Sequence, residues 1–63
     1  MEFTETEQTQ VWNECARKYG EDATQDAMSY ILITGTVVLK SFEDFRRLTL
    51  WKARMVWLKS KRA

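Results

Sequence analysis

Two glycines and no proline partition this chain. Gly20 and Gly35 are the only residues among 63 at which the backbone is free of the usual steric limits, and no ring-locked position interrupts the rest. A chain with so few joints is restricted to a few long regular segments, and the apolar spacing says that they are helices. In the first segment Thr4-Glu5-Thr6-Glu7 has the form of a capping box, in which the threonine hydroxyl and the glutamate carboxylate satisfy each other's backbone amides. Val11, Trp12, Cys15, Ala16 and Tyr19 then recur at three- and four-residue intervals, one face of a helix. Arg17 and Lys18 fall in its last turn, where cations complement the helix dipole, and Gly20 supplies the stop.

The second segment opens with Glu21 and Asp22, again acids at a helix start. Ala23, Ala27, Tyr30 and Ile31 form its stripe, broadened by Met28 and Leu32, and Gly35 is a natural C-terminal cap. Tyr30-Ile31-Leu32-Ile33 and Thr36-Val37-Val38-Leu39 also favour strands around Thr34-Gly35, so a short hairpin over 30–39 is the alternative. Because an isolated hairpin is weak in water, a helix to about Ile33 and an apolar connection are expected. Ser41 is the N-cap of the third segment, with Asp44 three residues on. Phe45, Leu48, Trp51, Met55 and Leu58 make one apolar stripe of that helix, and Leu50, Ala53 and Trp57 a second. Arg47, Arg54 and Lys61, seven apart, form a basic row between them. One stripe must face the other helices, and the second is hard to bury in so short a chain, which suggests a contact surface. The expected fold is all-α, one domain over 1–63, a small three-helix bundle with helices at about 4–19, 21–33 and 42–61.

A chain of this length buries only about 60% of its unfolded surface and is marginally stable alone. Cys15, the single cysteine, excludes an internal disulfide and reads as a small buried apolar residue in a reducing compartment. No stretch approaches the roughly 20 apolar residues of a membrane span, and the acidic N-terminus is wrong for a signal or transit peptide. A cytoplasmic protein is expected, and Met1 favours a complete gene product.

Charge divides the chain as the glycines do. Residues 1–39 hold seven acidic side chains against Arg17 and Lys18, a local net of −5, and residues 40–63 hold eight basic ones against Glu43 and Asp44, a local net of +6. The total of +1 conceals a dipolar molecule. Such asymmetry points to an anionic partner for the basic end, or to docking of the acidic half on the basic helix within the molecule. Trp51 and Trp57 lie inside the basic segment, and a basic helix with interleaved aromatics can hold phosphates by charge and bases by stacking. Catalysis is not expected: the sequence has no histidine, no glycine-rich phosphate loop, and no nucleophile beside a base at a recognisable spacing. Glu21, Asp22 and Asp26 suit the helix dipole better than a cation site, and neither metal nor cofactor is implied.

Asp22-Ala23-Thr24-Gln25-Asp26 resembles the D-x-x-Q-[DE] run in region 2 of bacterial sigma factors of the extracytoplasmic-function type. Ser41-Phe42-Glu43-Asp44-Phe45-Arg46-Arg47-Leu48 is similar to the S-F-x-x-[FW]-x-x-[IL] opening of that family's following helix, which ends in a basic run as Lys59-Ser60-Lys61-Arg62 does. The resemblance spans roughly residues 9–62. It implies a three-helix domain that docks on bacterial RNA polymerase and meets promoter DNA. By position, Asp22, Gln25 and Asp26 would bind polymerase. Arg46, Arg47, Lys52, Arg54, Lys59, Lys61 and Arg62 would meet DNA phosphates, with Trp51 or Trp57 against unstacked bases. No second region follows that would read a −35 element, so the resemblance implies a stand-alone, phage-encoded or mobile-element domain acting in a host cytoplasm. Two other readings stay open: a small phage DNA-binding accessory factor, and a self-associating helical virion protein that forms a homo-oligomer through the exposed stripe.

Overall fold

The structure, a computed structural model, describes residues 3–35 and 41–62. Three helices pack around one core: α1 (Glu5–Tyr19), α2 (Glu21–Tyr30), which continues into a π turn (Ile31–Gly35), and α3 (Phe42–Arg62). Each pair of helices is in contact, so the expected all-α three-helix bundle is the fold.

Local chemistry sets the ends. The Thr4 hydroxyl accepts from the Glu7 N–H at 3.1 Å and the Glu7 carboxylate accepts from the Thr4 N–H at 3.0 Å, closing the capping box. Gly20 serves two helices. Its N–H donates to the Ala16 carbonyl of α1 at 2.9 Å, and its own carbonyl accepts from the Thr24 N–H of α2 at 3.2 Å. Its φ of 89° and ψ of 163° place it in a region open essentially to glycine alone, which lets one residue turn the chain from α1 into α2. At α3 the Ser41 hydroxyl accepts from the Asp44 N–H at 3.1 Å.

The expected helix through Ile33 is present, and details around it are corrected. Residues 30–35 are helical, so the first half of the hairpin alternative is absent; its second half, 36–39, lies outside the described residues. The α-helical part of α2 stops at Tyr30 rather than Ile33, and Gly35 ends a π turn instead of capping an α-helix. Ile31, Ile33, Thr34 and Gly35 are all weak α-formers, and a wider turn at a helix end is where such a run settles. Tyr30, assigned to the inner stripe of α2, is 49% exposed, while Thr24 is fully buried in its place.

The stripe of α3 is corrected in the same way. Buried positions are Phe45, Thr49 and Ala53, extended by half-buried Phe42, Leu50, Val56 and Trp57. The expected line Phe45–Leu48–Trp51 steps three residues at a time and drifts round the helix by about 60° per step, so that Trp51 ends up about 120° from Phe45. Its two exposed members, Trp51 and Met55, face outward. Thr49 escaped notice because it is polar; its hydroxyl donates to the Phe45 carbonyl at 2.7 Å, and Thr24 does the same to Gly20 at 2.8 Å. Among the described residues no buried side-chain polar atom lacks a partner.

The core joins Val11 and Cys15 of α1, Ala27, Met28 and Ile31 of the second element, and Phe45 and Ala53 of α3. Phe3, which precedes the first helix, completes it: its ring stacks on Phe45 at 4.5 Å between centroids, and Phe42 meets Phe45 edge-on at 6.5 Å. The Gln8 side-chain amide donates to the Phe3 carbonyl at 2.8 Å and pins the strap to α1. No helix among the described residues is long and apolar enough to cross a membrane.

Candidate nucleic-acid interface

Trp51 defines the outer face of α3. Thr49 and Ala53 each lie two residues away, about 200° round the helix, and both are wholly buried, so Trp51 points away from the core. It is 54% exposed. Met55, one turn on, is 46% exposed, and the half-buried Leu58 continues the strip. A shallow groove of about 360 Å³ is lined by Trp51, Lys52, Met55, Val56, Leu58 and Lys59.

Cations flank this strip on both sides. Arg47 and Arg54 follow one edge and Lys52 and Lys59 the other, each pair seven residues apart, which is about 10 Å along the axis. Arg47, Arg54 and Lys59 are exposed and make no ion pair among the described residues. Lys52 rests its ammonium 4.3 Å from the centroid of the Tyr30 ring of α2. Lys61 stands the same distance over the Trp57 ring, whose other neighbour is Tyr19 at 5.7 Å. The side chain of Arg62 lies outside the described residues.

Of the residues expected to meet DNA, Arg46 is turned elsewhere. Its Nε and Nη2 donate to the two carboxylate oxygens of Glu14 on α1, both at 2.7 Å, and its Nη1 donates to Glu43 at 3.1 Å. A guanidinium in a two-point fork with a carboxylate is committed to that partner. Arg46 and Glu14 therefore tie α3 to α1, and the guanidinium does not join the outer face. This is the intramolecular acid–base docking that the charge split allowed, and among the described residues it is one interhelical pair. The Arg46 guanidinium bonded to it holds the Glu14 carboxyl below its ordinary range, and the carboxylate in turn raises Arg46. Lys18 lies 3.7 Å from the same carboxylate. Trp57 is half-buried with Tyr19 and Lys61 against its ring, so of the two candidate tryptophans the available one is Trp51.

Asp22, Gln25 and Asp26 are all exposed on one face of α2, as their spacing requires. Tyr30, one turn beyond Asp26, was missed as a surface residue because its spacing also fits the inner stripe. Cys15, next to Glu14, is fully buried; burial first, and then the Glu14 charge, push its thiol up to about 11. Comparison of the chain with family models, curated proteins and solved structures finds no match.

Proposed function

We propose that this chain is a non-catalytic, sigma-region-2-like domain that modulates transcription in the bacterial cytoplasm. The outer face of α3 holds nucleic acid, and the outward face of α2, through Asp22, Gln25 and Asp26, docks on RNA polymerase. The observation that carries the reading is the exposed Trp51, set in an apolar strip between two rows of cations, of which Arg47, Arg54 and Lys59 make no ion pair among the described residues. A fold of this size gains by burying a tryptophan, and exposing one among Arg47, Lys52, Arg54 and Lys59 suits a ligand with negative charges and flat rings. The same arrangement disfavours the self-associating alternative through this face. Two copies meeting there would bring both sets of cations together without counter-charges. The accessory-factor alternative shares the nucleic-acid face and differs only in dispensing with polymerase.

Two measurements test it. Labelled DNA titrated with the native chain should bind at low salt, and Trp51→Ala should weaken binding about tenfold, the scale of one base–aromatic stack. Purified core RNA polymerase should be retained by the immobilised native chain and lost by Gln25→Ala/Asp26→Ala. Retention of polymerase by that double variant removes the docking assignment, and absence of DNA binding removes the α3 face.

A further inference from the structure

We propose that Tyr30 is a further binding residue, and that the nucleic-acid surface continues from α3 across Lys52 onto the last turn of α2. The inference rests on reading the outer face of α3 as a nucleic-acid surface, and it assigns to that surface a second ring on a second helix.

Among the described residues the exposed large hydrophobic side chains are Tyr30, Ile33, Trp51 and Met55. They belong to two neighbouring parts of the fold: the end of α2 with its π turn, and α3, which that turn touches. Lys52 joins them. Its ammonium lies 4.3 Å from the Tyr30 ring, and its side chain lines the groove that holds Trp51 and Met55. One cation thus stands between two half-exposed rings, its chain neighbour Trp51 and the ring beneath its ammonium. Tyr30 is 49% exposed and Trp51 54%, so each residue is partly held by the fold and partly presented to solvent.

A ligand with an anionic backbone and planar rings at short intervals uses all three groups together. A flat anionic membrane fits less well. Asp26 is exposed one turn before Tyr30, and Asp22 one turn before that, so a surface laid on Tyr30 would press its negative charge against two carboxylates. A single strand is narrower than a membrane surface and can contact Tyr30 without covering both carboxylates.

The test uses the full chain with two labelled ligands of equal length, a short oligothymidylate and an abasic oligomer that keeps the phosphates and lacks the bases. Tyr30→Ala and Tyr30→Leu should each weaken oligothymidylate binding about tenfold, the worth of one stacked base, and change abasic binding by less than about twofold. Tyr30→Phe should behave as the native chain. Tyr30→Leu keeps apolar packing without a ring, so it decides the matter if Tyr30→Ala does not fold. Unchanged oligothymidylate binding in Tyr30→Leu overturns the inference while leaving the α3 face intact. Equal losses on both ligands also overturn it, because the ring would then act only by placing Lys52. Tyr30 variants that lose affinity for phosphatidylglycerol vesicles and not for oligothymidylate would reassign the patch to a lipid surface. If the native chain binds neither oligomer, the reading of α3 fails and this inference with it.

Discussion

Phe3→Ala is the perturbation that most sharply tests how this small bundle holds together. Phe3 lies outside every helix, yet it is 7% exposed and stacks almost flat on the fully buried Phe45, with 11° between ring planes. Truncation loses the burial of a large apolar side chain, about 2–3 kcal/mol, and a ring pair that adds about 0.5–1.5 kcal/mol beyond area. The expected loss is therefore about 2.5–4.5 kcal/mol. A chain of 63 residues has only about 3–9 kcal/mol to lose. At roughly 8 °C per kcal/mol for a domain this small, the midpoint should fall by roughly 20–35 °C. Urea unfolding followed by helical circular dichroism, with Phe45→Leu and the double variant completing a cycle, reads both the total and the ring–ring coupling. A Phe3→Ala loss under about 1 kcal/mol would refute the reasoning, since the strap would then be no part of the core. So would a coupling of zero, which would reduce the stack to independent burial.

Gly20→Ala should cost about 1–3 kcal/mol through its backbone alone, because the added methyl meets nothing within 4 Å while φ is 89°; an unchanged urea midpoint would contradict this. The Glu14 carboxyl is held below its ordinary range by Arg46, so its contribution to stability is fully present above about pH 4.3 and is lost as pH falls through the lowered folded value. Glu14→Gln should accordingly melt below the native protein at neutral pH, and the two melting curves should converge in acid. A gap that stays constant with pH would count against the pair. Cys15, buried and raised to about 11, should resist a thiol reagent at pH 8 in the folded chain and react fully in denaturant.

The parts of the fold that can be read from the sequence are those governed by local chemistry. Thr4 and Glu7 cap α1, Gly20 ends it, and Ser41 opens α3, because each satisfies backbone groups within its own turn. What is not legible depends on which way a helix is rotated in the bundle. Tyr30 and Trp51 both had apolar neighbours at helical spacing, and only packing decides that Thr24 and Thr49 are buried instead. Threonine can take a buried place because its hydroxyl returns to a carbonyl four residues back, a bond that composition does not reveal. The pairing of Arg46 with Glu14 is likewise invisible along the chain, since the partners are 32 residues apart. Of the candidate site, the Arg47–Arg54 edge follows from seven-residue spacing, whereas Lys61, expected in the same row, stands over the Trp57 ring and the second edge is Lys52 with Lys59. That Trp51 rather than Trp57 is available, and that Tyr30 lies beside Lys52, required the three helices together.

The central claim, that the outer face of α3 holds nucleic acid, is tested most directly by the salt dependence of single-stranded DNA binding. Each neutralised phosphate adds about 0.7 to the negative slope of log affinity against log salt. The account predicts that the native chain binds with a steep negative slope, and that Arg47→Ala/Arg54→Ala/Lys59→Ala flattens it by about 2 with the helical fold retained. An unaltered slope in that triple variant, or no binding by the native chain at low salt, would contradict it.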